Sequence, residues 1–177
     1  MQGNACPECR GRQNCLLMSR LSPQEIEATR GIRHIRAYQA RQTLYHEGMP
    51  ALGLPILCSG RVKLTRGNNC GRQQILRIVG HGGICGEEAL LEGMPFTNTA
   101  EALETCQSAF IRREALLELL QSRDGLLVPL LRHLCRVLVE TQVRFAHVAL
   151  CDARTRMAVQ LVELAERYGQ PGSKGIT

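Results

Sequence analysis

Two runs, Arg61-Val62-Lys63-Leu64-Thr65 and Gln74-Ile75-Leu76-Arg77-Ile78-Val79, are joined through Gly67-Asn68-Asn69 and closed by Gly80. Their apolar residues alternate with polar ones, which fits paired strands with one buried face. The same cues recur on either side. Gln42-Thr43-Leu44-Tyr45 precedes Gly48, Leu54 to Leu57 precedes Gly60, and Ala100 to Ile111 forms a last run. Short strands separated by glycine at roughly 8–12-residue intervals predict an antiparallel barrel or sandwich over residues 33–112.

Helices flank this region. Ser22-Pro23-Gln24-Glu25 opens a short one, with Ser22 as N-cap, Pro23 in the first turn and Glu25 completing a capping box. It is expected to end near Ala28 or Arg30. A second short helix follows from Arg113 to Gln121, and Gly125 precedes a long one. In the long helix Leu127, Leu131, Leu134, Leu138, Thr141, Phe145 and Val148 recur at alternating spacings of four and three, the seam of helix-on-helix packing. The helix could pack on its own barrel. Apolar Val128, Leu130, Val137 and Val139 lie off the seam and favour a helix that also meets a partner. A last helix from Ala153 to Tyr168 stops at Gly169, with Pro171 beyond.

The chain has 177 residues, enough for one core-bearing domain and an extension. Hydrophobic residues make up 44% and aromatics only 3%, so the core must be aliphatic. No apolar run approaches the roughly 18 residues of a membrane-spanning helix, and the amino terminus has no signal-peptide stretch. A cytoplasmic location is the expectation. The net charge of +6 suits a polyanion but equally an ordinary solvated surface.

In a reducing compartment the nine cysteines argue against a disulfide framework and for metal or redox chemistry. Cys6-Pro7-Glu8-Cys9 is a C-x2-C, and Cys15 follows after five residues. Two thiolates at that spacing can bend round one metal centre, and the third can close over another corner. Arg10 and Arg12 would favour the thiolates. Iron–sulfur, zinc and incidental thiols all stay open on spacing alone. Zinc would usually bring a second pair of ligands. A thioredoxin-type oxidoreductase would need an alternating β/α pattern that is missing, so no enzyme is expected. His34, His46, His81, His133 and His147 form no ligand grouping in sequence; haem through His81 or Cys85 is a minor alternative.

The whole chain resembles the CRP/FNR superfamily of bacterial regulators, and its amino-terminal cysteines resemble the FNR branch. The blocks that carry this are Cys6-x2-Cys9-x5-Cys15, Leu21-Ser22-Pro23-Gln24-Glu25, Gln42 to Gly48, Ser59 to Leu64, Gly86-Glu87-Glu88-Ala89-Leu90-Leu91 and Asp152 to Met157. The resemblance implies an α+β fold: a cyclic-nucleotide-binding-type antiparallel β-roll, jelly-roll-like, flanked by helices and followed by a long dimerisation helix. It divides the chain into a cysteine-rich cluster-binding segment (residues 1–20), a β-roll sensor domain (21–124), the dimerisation helix (125–152) and the start of a truncated DNA-binding domain (153–177). It further implies a [4Fe–4S] cluster sensitive to oxygen or nitric oxide, whose state couples to homodimerisation. DNA and RNA polymerase would be partners of the full-length regulator.

Three positions depart from the family pattern. Phe96-Thr97-Asn98-Thr99 stands where an Arg-Ser pair would hold a cyclic phosphate, and without a guanidinium cyclic AMP is not the expected ligand. The fourth FNR ligand position falls on Ala109, so Cys106 is taken as the fourth ligand ahead of Cys85. Cys58, Cys70, Cys135 and Cys151 are expected to be plain buried or surface thiols. Finally, the chain ends before a recognition helix, so it is not expected to read DNA by itself. In the seam Thr141, beside Glu140, replaces an acidic residue of the FNR pattern. Loss of the cluster is expected to free the lead-in and weaken the dimer there.

Overall fold

The computed structural model describes residues 12–68, 70–169, 171–172 and 175–176. Cys6 and Cys9 lie outside the described residues. Two compact units result, one up to Leu130 and one from Leu131 onward.

The first unit begins as the sequence dictates. The Ser22 hydroxyl accepts from the Glu25 amide at 3.3 Å, and the Glu25 carboxylate accepts from the Ser22 amide at 2.7 Å. These two bonds satisfy donors that a helix start leaves orphaned, and α1 runs Pro23–Ala28. A 3-10 turn, Thr29–Ile32, then leads into β1 (Arg33–Tyr38). The roll continues with β2 (Thr43–Tyr45), β3 (Gly53–Ser59), β4 (Val62–Gly67) and β5 (Gln73–Val79). Helix α2 (Glu87–Glu92) separates these from β6 (Thr99–Ala102) and β7 (Cys106–Arg112), and α3 (Arg113–Ser122) follows.

All pairings between these strands are antiparallel. One sheet has the order β1-β7-β3 and the other β2-β6-β4-β5. Leu57 and Cys106 from the first sheet meet Tyr45, Val62, Leu64, Val79, Ala100 and Ala102 from around the second in one buried cluster. This is the expected α+β roll. The three-stranded sheet is buried on both faces: Leu57 and Ser108 turn inward, while Ile56, Ala109 and Ile111 turn the other way and are also buried. Helix α3 packs against β3 and β7.

One local expectation is corrected, and two elements add detail the sequence did not supply. Ala100 to Ile111 is not one strand; it breaks at Leu103-Glu104-Thr105, where Leu103 donates to the Arg61 carbonyl and Arg61 grips Glu104 through two 3.0 Å bonds. That break lets β6 stay in one sheet while β7 crosses to the other. Glu87–Glu92 is a helix, where only a stretch after the central turn was anticipated. Strand β1 carries the half-buried, charge-rich pattern Arg33-His34-Ile35-Arg36-Ala37-Tyr38, which lacks clean alternation.

Helix α4 runs Asp124–Leu150. Its first turns bury Leu126 and Leu130. In the second unit α4 is followed by α5 (Ala153–Tyr168), capped by Asp152, whose carboxylate accepts from the Thr155 amide at 2.8 Å. The Arg156 guanidinium donates back to the Cys151 carbonyl at 3.2 Å and so ties this corner together. Among the described residues no helix is long and apolar enough to cross a membrane.

Leu57 fills the roll interior with 1% of its surface exposed. Leu57→Ala should therefore cost about 3 kcal/mol of unfolding free energy, since the cavity adds to the lost transfer energy. Urea titration followed by circular dichroism measures this; a loss below about 1 kcal/mol would contradict the packing described.

Candidate functional site

Cys15 is the ligand candidate that the described residues anchor directly. The chain around it lies against the turn after β5: the Leu16 amide donates to the Gly82 carbonyl at 3.0 Å, and the Ser19 amide to the Cys15 carbonyl at 3.1 Å. Gly82 has φ +78°, and a Cβ there would strike the Asn14 carbonyl and stand 2.8 Å from the Cys15 Cα. Only glycine allows both that backbone conformation and that approach. Cys15 is buried, as are Leu17, Met18 and Leu21 after it.

The same turn lies alongside β3. The Gly82 amide donates to the Leu57 carbonyl at 2.7 Å, and the His81 ring Nδ1 donates to the Cys58 carbonyl at 2.6 Å. Strand β3 is irregular here: Leu57 pairs with Ser108 and Ser59 with Gln107, which leaves Cys58 as an extra residue in a bulge. Cys58 is half-buried and has no disulfide. Nothing in its surroundings in sequence marked it out, because the bulge depends on the partner strand.

Cys106 and Cys85 sit elsewhere. Both are fully buried in the inner cluster with Leu57, Val62 and Val79. Burial pushes both thiols above their ordinary range; at Cys85 the carboxylate of Glu87 adds to the effect. Ala109, the FNR-pattern position, is on the opposite face of β7 from Cys106 by strand alternation, paired to Ile56. Cys6 and Cys9 fall outside the described residues. Among the described residues no group of three or more His, Cys, Asp or Glu side chains could hold a metal ion. Of the described thiols, Cys15 and Cys58 belong to segments that meet the His81-Gly82 turn.

The interior end of the roll contains a polar network under an aromatic lid. Tyr45 and Phe96 stack at 3.8 Å with planes 14° apart. The Tyr45 hydroxyl donates to Asn98 at 2.9 Å, and both Asn98 and Thr97 donate to the Glu88 carboxylate, at 2.9 and 2.8 Å. Burial drives the Tyr45 phenol far above its ordinary pKa. Arg77 and Glu87 form a buried pair at 2.8 Å. Burial works against the Arg77 charge, but Glu87 outweighs it and the guanidinium is held more firmly protonated. The stretch Phe96–Thr99 thus stacks a ring on Tyr45 and directs two donors, Thr97 and Asn98, at the Glu88 carboxylate.

Along helix α4 most of the seam residues are exposed, with Leu134 half-buried. Leu127, Leu131, Leu138, Phe145 and Val148 are all exposed. Off the seam, Val128 and Val139 are exposed too, whereas Leu130 is buried and Val137 half-buried. Thr141 satisfies its hydroxyl within the helix by donating to the Val137 carbonyl at 2.7 Å, which removes most of the cost of a polar group in the seam.

This roll geometry matches a known family: residues 35–123 fit the cyclic nucleotide-binding domain, and the chain belongs to that family. Among its relatives are regulators. The CRP-like cAMP-activated global transcriptional regulator of Mycobacterium tuberculosis is 33% identical over 127 residues, covering 72% of this chain and 57% of that protein. The chain thus spans under two thirds of that relative's length. The c-di-GMP responsive global regulator CLP of Xanthomonas campestris superposes with a TM-score of 0.75 at 25% identity, over 83% of this chain and 74% of that one. The catabolite activator protein of Thermus thermophilus gives 0.65 at 26% identity, over 85% and 71%.

The approach at Gly82 predicts that Gly82→Ala strains the turn and expels the Cys15 segment. About 1–3 kcal/mol of stability should be lost, and limited proteolysis should cut between Cys15 and Leu21 faster than in the wild type. Equal cleavage rates would show that the segment does not depend on this contact.

Proposed function

We propose that this chain is the sensory and dimerisation region of an FNR-like transcription regulator, with an iron–sulfur cluster on its amino-terminal cysteines. The observation that carries the reading is the anchoring of Cys15 on Gly82, which would tie any group held by Cys6, Cys9 and Cys15 to the roll itself. When bound, a [4Fe–4S] cluster supplies chemistry that dioxygen or nitric oxide can disrupt. The chain's own residues do the rest. Leu16 holds the lead-in against Gly82, and the buried run Leu17, Met18 and Leu21 fixes its direction.

The signal is carried onward, in this reading, by α4. Its exposed seam suits a second copy of the chain in coiled-coil packing, and a longer protein would add DNA and RNA polymerase as partners. The function is binding and switching, not catalysis, in the cytoplasm. A cyclic nucleotide is not the effector. The stacked Tyr45–Phe96 pair and the Glu88 carboxylate take the place of the cation such a phosphate needs.

Two measurements test this. Chain purified without oxygen should be brown and carry about four iron and four sulfide per polypeptide, and light scattering should show the dimer losing mass on exposure to air. Colourless, iron-free protein of unchanged mass would refute the proposal. Separately, cyclic AMP at about 1 mM should leave the melting temperature unmoved; a ligand binding a hundredfold more tightly than that would add about 2.7 kcal/mol, and a clear rise in melting temperature would restore the nucleotide reading.

A further inference from the structure

A single carboxylate joins the end of the lead-in to the start of α4. Glu25 uses its two oxygens in different directions: Oε2 accepts from the Ser22 amide at 2.7 Å, and Oε1 pairs with the Arg123 guanidinium at 2.9 Å. Ser22 directly follows Leu21, the last of the buried Leu17, Met18 and Leu21. Arg123 is the residue between α3, which ends at Ser122, and α4, which begins at Asp124. Its backbone is extended (φ −139°, ψ 92°), and its carbonyl accepts from the Leu126 amide at 3.1 Å.

We propose that the Glu25–Arg123 pair is a coupling latch, through which docking of the lead-in and presentation of the first α4 seam residues to a second copy of the chain depend on each other. The latch rests on the dimer reading of α4 above and not on the cluster. Three observations carry it. The first is connectivity. Other ion pairs among the described residues stay within α1, as Arg30 with Glu27, or within the roll, as Arg61 with Glu104, Lys63 with Glu101, Arg66 with Glu47 and Arg77 with Glu87. Glu25 and Arg123 instead join an element that precedes the strands to the junction that follows them.

The second is position. A residue between two helices can absorb a change of backbone angle that neither helix tolerates, and Arg123 holds that place. One turn later the chain divides its side chains: Leu126 is buried, while Leu127, the first residue of the seam, is 43% exposed. The third is the double use of one carboxylate. The bonds from Ser22, with a smaller contribution from Arg123, hold the Glu25 carboxyl below its usual range, so it is ionised for both contacts at neutral pH. When the lead-in leaves, Leu21 is drawn from the core, the Ser22 amide moves with it, and the carboxylate loses one of its two anchors. Linkage makes the effect reciprocal: a second copy that fixes the start of α4 favours the docked lead-in by the same factor. An exposed ion pair contributes little by itself, so the latch modulates the dimer and does not switch it outright.

The test uses the full chain as wild type, Glu25→Gln, Arg123→Gln, the double variant and Arg123→Lys. Glutamine also serves in a capping box, so Glu25→Gln keeps the bond to Ser22 and removes the ion pair alone. Sedimentation equilibrium gives the dimer dissociation constant, and limited proteolysis gives the rate of cutting between Cys15 and Leu21. Each single glutamine variant should weaken the dimer about threefold and speed cutting to match. The double variant should go no further than either single one, the mark of two residues acting through one contact, and Arg123→Lys should behave as wild type. A second measurement needs no comparison of folds: at about 1 M salt, where screening reaches about 3 Å, wild type and Glu25→Gln should converge. A wild-type dimer that Glu25→Gln leaves unchanged, or single effects that multiply in the double variant, overturns the latch and leaves the dimer reading intact. A monomeric wild type overturns both.

Discussion

A strand sends successive side chains to opposite faces, and in the three-stranded sheet that alternation decides which cysteines can meet. Strand β7 carries Cys106 toward the inner cluster and Ala109 toward the other face. Because β7 is paired on both edges, to β1 and β3, it cannot rotate to exchange them without losing its ladder. Everything else about the site follows from this. The inner thiols belong to the core, in which burial favours the protonated form. The lead-in meets the roll where Leu16 bonds the Gly82 turn, and the same turn bonds β3 at Leu57 and Cys58.

Much of the fold was legible in the residues because the signals were local. The Ser22–Glu25 capping box, the paired runs around Gly67–Asn69 and the four-three spacing of α4 each encode their element within a few residues, and each element is present, although β5 leaves Ile75 and Leu76 exposed instead of burying one face. What escaped notice depended on distant partners. The break between β6 and β7 is set by the grip of Arg61 on Glu104, 43 residues away in sequence. Strand β1 owes its place to pairing with β7 and to Arg36 lying 5.5 Å over Phe110, not to a pattern of its own.

The site was legible only in part, for a related reason. The spacing of Cys6, Cys9 and Cys15 is visible to anyone reading along the chain. Cys58 is not, because its distinction lies in a register step against β7 and in the approach of a turn more than twenty residues later. Glycine at position 82 carries the same kind of hidden information: the need for φ +78° and for a missing Cβ arises only once Cys15 lies against it. The absence of an arginine from Phe96–Thr99 was readable, but the packing of Phe96 on Tyr45, across the roll, was not.

That aromatic pair has a thermodynamic consequence. A ligand moves a conformational equilibrium only through its differential affinity for the two states. With Tyr45 and Phe96 stacked and Glu88 bonded by Thr97 and Asn98, a form with an open interior would have to break these contacts first. Any molecule bidding for that space has its apparent affinity divided by the small population of the open form.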